Sequence, residues 1–453
     1  MFCTIQLSKL DSTPLYVQLA NELARLIKEG VLKPKTKLPT IRSLSQSLNI
    51  NRDTVVSAYK LLENQSLVYG HVGSGTYVAS FDFEQGFEPE NTLISCSTLN
   101  FPSDYYPIRV IRELMNDIIN IDGWSAFSDP LQRHRILLKQ TIVDFLHTVG
   151  LETSAAQIRV MSNDQMLWSH LLKLHTTPYV CIEAYHDPSM ATFLKSQGVH
   201  IFEIPMTPTG MDLVALESVL SQFPIAFICV SSYIQNPTGI CYDEPTKKAL
   251  LSLCTHYNCY LVDDITYIDF AYHTPIIQPL FSLDTSDRVI TLYHFSKVYL
   301  SVLNYSFLIL PLALSKRLFD LTTYTLNEHI LSYYLRSDYL AYLRPLLLEQ
   351  TRTLYLSVSE TLKQLTPYVS TYADFGGLAF FLRPLQLDAT AFTQHFLSFG
   401  IVISPCEIFS ESCSEPFFRV SIAHLNEFQC SKLKTCLEAL ASTTTTIPIK
   451  IEC

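Results

Sequence analysis

Residues 289–299 read VITLYHFSKVY, an apolar run that ends in Ser296 and Lys297. β-Branched and aromatic residues fill it, as expected of a strand buried in a sheet. Lysine is almost never fully buried unless paired, and no acidic residue lies nearby in sequence to pair with Lys297. Six runs of similar character surround it: RVMS from 159, YVCIEA from 179, VHIFEIP from 199, AFICVSS from 226, CYLVDD from 259 and SFLILP from 306. Helical patterns such as Met211–Gln222 and Lys247–Tyr257 lie between them. Strands alternating with helices over this length imply an α/β domain with a mostly parallel sheet. Ligands of such sheets sit beyond the carboxyl ends of the strands, so the residues that follow each run are the ones to inspect.

Four positions stand out. Asn236-Pro237-Thr238-Gly239 is a turn after AFICV, and Asp263 and Asp264 close CYLVDD with Tyr267 three residues beyond. Ser296 and Lys297 end the opening run, and Arg419 stands alone in PFFRVSIAHL. Singly, each has a plain structural reading: a turn, a helix cap, a solvated loop, an edge residue. Together they share one chemical use. A lysine amine forms an imine with an aldehyde cofactor, a carboxylate holds a pyridinium proton, and an arginine fork binds a carboxylate.

The chain has 453 residues, 48% of them hydrophobic and 16% charged, enough for a large core and for about two to four domains of ordinary size. Net charge is −10, which argues against a nucleic-acid-binding surface over the whole molecule. The charge is uneven: residues 1–80 hold nine Lys/Arg against five Asp/Glu, residues 81–453 hold 23 against 37. A basic head on an acidic body is expected where one end meets a polyanion. The 12 cysteines form no C-x-x-C pair, and Cys254/Cys259, Cys406/Cys413 and Cys430/Cys436 are too widely spaced for a zinc knuckle. Reduced thiols packed as small hydrophobes, no metal site, and a cytoplasmic protein are the expectations. The N-terminus lacks the charged and apolar regions of a secretory signal. Val298–Leu314 is uncharged but contains Asn304 and Pro311, and reads as a loop plus a buried strand rather than a membrane span.

In the head, Pro14 suits the first turn of a helix, and Leu15, Leu19, Leu23, Leu26 and Ile27 line one face up to Gly30. After a basic loop (Lys33, Lys35, Lys37), Ile41, Leu44 and Leu48 line a second helix. Asn49 marks a turn, and Val55, Val56, Tyr59 and Leu62 face inward on a third. This is a helix-turn-helix, followed by a hairpin from LVYG and GTYV. The third helix opens with Asn51-Arg52-Asp53-Thr54, side chains able to reach phosphates or base edges. Ser80–Ser97 carries Asp82, Glu84, Glu88 and Glu90 without periodicity and reads as a solvated tether.

The stretch GVLKPKTKLPTIRSLSQSLNINRDTVVSAYKLLENQSLVYGHVGSGTYV resembles the GntR-type winged-helix signature along nearly its full length. That resemblance implies double-stranded DNA as partner, with contacts from Arg42, Arg52, Thr40 and Thr54 and with the wing tip at Gly73 near the minor groove. Lys35-Thr36 departs from it, where a turn glycine is usual. In the body, the order NPTG, D-x-x-Y, S-K and a late arginine is similar to the class I/II, fold-type I aminotransferases. The whole chain, from about residue 4 to about 440, resembles the MocR/GabR-type regulators.

The resemblance implies three parts: a winged helix over 1–80, an acidic linker over 81–97, and an aminotransferase-like domain over 98–453 with a smaller C-terminal α+β subdomain. It further implies a homodimer that holds pyridoxal 5′-phosphate (PLP) or another small effector. Lys297 would be the imine lysine, needing deprotonation to react, and Asp264 the partner of the pyridine nitrogen. Tyr267 and Asn236 would bind the phenolic oxygen, Ser296 and His294 would lie at the cofactor, and Arg419 would take an effector carboxylate. Departures fall at the phosphate. Asn304 stands where an arginine is usual, and Asn163, beside Asp164, where a helix-opening glycine is. The stacking aromatic falls at Asp187, with Tyr185 and Trp168 nearby. Losing an arginine–phosphate fork weakens cofactor binding. Two other readings stay open: an active PLP-dependent aminotransferase with an accessory head, and a regulator whose body is a PLP-free scaffold.

Overall fold

The structure, a computed structural model, describes residues 7, 13–28, 31–32, 36–64, 67–71, 74–78, 93–101, 108–127, 132–174, 177–273, 278–300, 303–317, 325–413 and 415–443. The chain divides into two compact units, Met1–Pro89 with Ser337–Tyr342, and Glu90–Arg336 with Leu343–Cys453.

In the first unit, α1 (Leu15–Lys28) buries Leu19, Ala20, Leu23 and Ala24, so alanines next to the expected leucines complete its inner face. Helix α2 (Ile41–Leu48) opens on Thr40, whose Oγ1 accepts the Ser43 N–H at 3.2 Å. It closes on Asn49 at φ 51°, a left-handed conformation that asparagine tolerates better than most residues. Helix α3 (Arg52–Asn64) buries Val55, Ala58, Tyr59 and Leu62, spaced along one helical face. The Tyr59 hydroxyl donates to the Pro39 carbonyl at 2.7 Å and ties α3 to the segment entering α2. Strands β1 (Val68–His71) and β2 (Gly75–Val78) pair antiparallel as the expected wing. One expectation fails: Ile41 is exposed, because the first residue of α2 precedes the turn that meets the core, and Leu44 carries the burial instead.

The second unit begins at β3 (Ile94–Ser95) and α4 (Ile108–Asp122), a 3-10 turn (Gly123–Phe127) and α5 (Gln132–Thr148). Then follow β4 (Ile158–Met161), α6 (Asp164–Leu172), β5 (Tyr179–Glu183), α7 (Pro188–Ser196) and β6 (His200–Ile204). A small hairpin, β7 (Met206–Thr207) and β8 (Gly210–Met211), leads to α8 (Leu213–Leu220), β9 (Phe227–Val230), α9 (Glu244–His256) and β10 (Tyr260–Asp264). The next elements are α10 (Leu280–Leu283), β11 (Val289–Tyr293), α11 (Phe295–Val298), β12 (Ser306–Ile309), α12 (Leu312–Ser315), α13 (Leu326–Leu335) and α14 (Asp338–Gln364).

All seven strand expectations are met in one sheet, ordered β4-β12-β11-β10-β9-β5-β6. Only β12 runs antiparallel to its neighbours, and the other pairings are parallel. Every residue of β4, β9, β11 and β12 is buried, which is why these strands read as largely apolar runs, with Arg159 of β4 the one charged residue, its guanidinium donating to backbone carbonyls.

The C-terminal α+β part is an antiparallel sheet of β13 (Val369–Thr371), β14 (Ala379–Pro384), β16 (Ser404–Pro405) and β17 (Phe418–Ser421). Helices α15 (Ala389–Ser398) and α16 (Glu427–Thr443) accompany it. The short strand β15 (Ile401–Val402) pairs in parallel with β3. That pairing corrects the linker: Ile94 and Cys96 are buried in this core, so the tether does not run to residue 97. Residues 79–92 lie outside the described residues. The thiol expectation also needs correction, because Cys406 and Cys413 form a disulfide. The other described cysteines are free and buried, as expected.

Leu44→Ala removes a fully buried side chain from the small core of the first unit and is expected to cost about 2–5 kcal/mol there. Hydrogen exchange should show faster exchange of α2 and α3 amides with the β9–β11 amides unchanged.

Candidate functional site

On the first unit, Arg42 in α2 and Arg52 at the start of α3 are both exposed, and Thr54, two residues further on, is half-buried. Asn51 proves to be the cap of α3, its Oδ1 accepting the Asp53 N–H at 3.2 Å. Thr40 does the same for α2, and its hydroxyl proton is left for a further acceptor. Gly73 lies outside the described residues. Next to it, Ser74 Oγ and the Tyr77 hydroxyl are 2.6 Å apart, Tyr77 stacks on Tyr69 at 5.7 Å, and the exposed Lys37 lies 5.8 Å above the Tyr77 ring.

On the second unit, one cavity opens at the carboxyl edge of β5, β9, β10 and β11. It is lined by Asn236, Asp264, Tyr267, His294 and Lys297, which the sequence marks out, and by Trp168, Glu183 and Asp187. Parallel strands deliver all of them: Asn236 follows β9, Asp264 ends β10, and Lys297 rides on α11 directly after β11.

Asp264 is held by Thr266, whose backbone N–H and hydroxyl donate at 2.9 and 2.5 Å, and by His294, whose Nε2 is 3.5 Å away. Burial alone would raise its carboxyl; His294, Lys297 and Thr266 outweigh this and hold it below the usual carboxylate range. His294 Nδ1 lies 2.7 Å from Ser306 Oγ, so both ring nitrogens have partners. Burial pushes the Tyr267 phenol up to about 12, which keeps it neutral and able to donate. Lys297 does have an acid: Asp187 Oδ2 is 3.6 Å from its Nζ. Asp187 also caps α7, accepting from the Ser189 backbone N–H at 2.9 Å and from the Ser189 hydroxyl. Its burial is outweighed by Lys297, Ser189 and His294, which leave the carboxyl below its ordinary range.

Two expected residues do not line the cavity. Ser296 is buried, and its hydroxyl accepts the Tyr305 N–H at 2.7 Å, fixing the turn into β12. Arg419 lies behind Asn236: Nη1 donates to Asn236 Oδ1 at 2.9 Å and Nη2 to the Ser97 carbonyl. Its guanidinium packs 4.5 Å over the Phe409 ring, and its buried Nε has no hydrogen-bond partner. Sequence reasoning missed Glu183, which ends β5 and accepts from the Tyr242 hydroxyl at 2.6 Å, Gln235 Nε2 at 3.0 Å and the Ser231 N–H at 3.1 Å. Its signal was present: a carboxylate closing an otherwise apolar strand run.

Residues 15–78 match the model of the family described as "Bacterial regulatory proteins, gntR family", and residues 121–302 that of "Aminotransferase class I and II". The chain is 24% identical over 310 residues to the uncharacterized HTH-type transcriptional regulator YjiR of Escherichia coli, covering 62% of this chain and 66% of that protein, just under two thirds of its length. It is 24% identical over 331 residues to the uncharacterized HTH-type transcriptional regulator YcxD of Bacillus subtilis, covering 71% and 74%. Among solved structures, Pyrococcus horikoshii kynurenine aminotransferase superposes with a TM-score of 0.67 at 19% identity, covering 78% of this chain and 92% of that one. The chain thus carries a gntR-family domain at residues 15–78 and an aminotransferase class I and II domain at residues 121–302, and these two relatives are named HTH-type transcriptional regulators.

The aminotransferase class I and II family is one that binds PLP, so the residues of the cavity can be tested against the group. The ring and imine positions fit: Lys297, Asp264, Tyr267 and Asn236 all face the cavity. The phosphate position does not. Asn304 is exposed, sits at φ 55° in the turn before β12, and does not line the cavity. Asn163 caps α6 by accepting the Met166 N–H at 2.7 Å, which occupies one of the amides a phosphate would use. His294 is engaged with Asp264 and Ser306, and the aromatic position is a carboxylate. Trp168 still forms part of the wall, whereas the Tyr185 ring packs 5.1 Å from Phe381, off the cavity.

Burial raises the Glu183 carboxyl from 4.5 to about 8, despite its three hydrogen-bond donors. The folded regulator therefore binds a proton there more tightly than the unfolded chain, so stability falls as pH rises from 4.5 through about 8. Glu183→Gln is expected to flatten that slope in urea midpoints measured across this range.

Proposed function

We propose that the regulator binds double-stranded DNA as a homodimer through its winged helix, and that the cavity of its body senses a small, amino-acid-like effector. The observation that carries this is the winged helix itself, with Arg42 and Arg52 exposed on α2 and at the tip of α3. A plain aminotransferase has no use for it. In the body, Arg419 Nη1 donates to Asn236 Oδ1 at 2.9 Å and so orients the Asn236 amide that lines the cavity. Support for self-association comes from an unusual concentration of exposed apolar side chains around α4 and the 3-10 turn. Ile121 is 69%, Trp124 90% and Phe127 60% exposed. No helix among the described residues is long and apolar enough to cross a membrane, and a cytoplasmic location is part of this proposal.

A second reading, turnover as a PLP-dependent aminotransferase, is favoured by the meeting of Lys297, Asp264, Tyr267 and Asn236 in one cavity. The phosphate position counts against it. Fluorescence anisotropy on the regulator's own promoter region tests the leading reading. Wild type is expected to bind with a steep salt dependence, and Arg52→Ala to lose about 5- to 150-fold in affinity if it reads a base. Absence of wild-type binding would count decisively against it.

A further inference from the structure

We infer that Asp187 holds Lys297 as an ammonium ion, so that the cavity takes its ligand without a covalent bond to the lysine. This rests on the cavity being the effector site, and it concerns how that site binds. Asp187 Oδ2 lies 3.6 Å from Lys297 Nζ, and the two side chains are only 39% and 32% exposed, so solvent screens the pair incompletely. The carboxylate is fixed in place by its own bonds to Ser189 at the start of α7, so it does not swing away at no cost. The other charged groups facing Lys297 do not cancel it. Asp264 is a second carboxylate and is matched by His294, Tyr267 is a neutral phenol, and Arg419 is bound to Asn236 and Ser97.

An amine attacks an aldehyde with its lone pair, forming the C=N bond as water leaves. An ammonium has no lone pair to give. Asp187 acts twice on the site: it stabilises the unreactive state of Lys297, and it stands where an aromatic face would otherwise hold a flat ring. The ligand class that remains is a small, phosphate-free molecule whose polar groups meet an existing ion pair and the Asn236 and Tyr267 side chains.

The experiment uses the full-length chain with pyridoxal as the aldehyde probe and PLP in a parallel arm. Borohydride reduces any imine at Lys297 to a stable secondary amine, quantified by mass spectrometry of the Lys297 peptide. Asparagine caps a helix as well as aspartate does, so Asp187→Asn keeps the α7 start while removing the charge. At neutral pH, Asp187→Asn is expected to label on the order of tenfold more than wild type with both probes. Wild-type labelling should also need a more alkaline medium, and Lys297→Ala should abolish the adduct. Asp187→Ser, which caps equally well, decides the matter if the melting curve of Asp187→Asn shows damage. Equal labelling of wild type and variants overturns the inference, as does failure of both variants to gain. A gain with PLP alone also overturns it, because Asp187 would then act by repelling phosphate. None of these outcomes touches the DNA-binding reading, which anisotropy tests separately.

Discussion

Parallel strands place all their carboxyl ends on one edge, and the cavity of this protein is a consequence of that constraint. Strands β5, β9, β10 and β11 run together, so Asp187, Asn236, Asp264 and Lys297 meet although they come from four separate stretches of chain. The reversed strand β12 adds a second consequence. Because it starts at the edge where β11 ends, Ser306 reaches His294, and the chain must turn sharply at Asn304. Asn304 adopts φ 55° there. The same position therefore serves the turn and leaves the cavity without an arginine.

The polar groups inside the cavity have partners. Asp187 faces Lys297 and Asp264 faces His294, while Glu183 is shielded by Tyr242, Gln235 and Ser231. A buried charge without a partner would cost far more than any of these contacts returns, so each substitution at the edge of the cavity is coupled to another. An acid at 187 and a lysine at 297 are tolerable together. Either one alone leaves a half-buried charge to solvate. The two side chains are therefore coupled within a cavity that Asp264, Tyr267 and Asn236 also line.

Much of this was legible in sequence. The strand runs could be read because burial on both faces leaves few polar residues to interrupt them, and helices α2 and α3 because their apolar spacing is short and clean. Asp264, Tyr267 and Lys297 could be placed because they follow strand runs directly. What could not be read depended on contacts between distant segments. Nothing local to Asp187 points to Lys297, and nothing in the acidic stretch before Ile94 announces a strand that pairs with Ile401–Val402. The Cys406–Cys413 link closes within a loop whose geometry is set by neighbouring strands. Ser296 sits beside the lysine in sequence, but α11 turns its hydroxyl inward to Tyr305. Asn51 and Thr40 read from sequence as residues that reach DNA, and the structure adds a second task, capping a helix, which uses a side-chain oxygen of each as acceptor.

The decisive property of this cavity is whether it captures PLP. The direct measurement is the absorption spectrum of the full-length wild-type regulator after incubation with excess PLP and exhaustive dialysis near neutral pH. A rebuilt phosphate position and a lysine held by Asp187 predict protein absorption alone, with no visible imine band. A stable visible band that survives dialysis and disappears in Lys297→Ala would contradict the account.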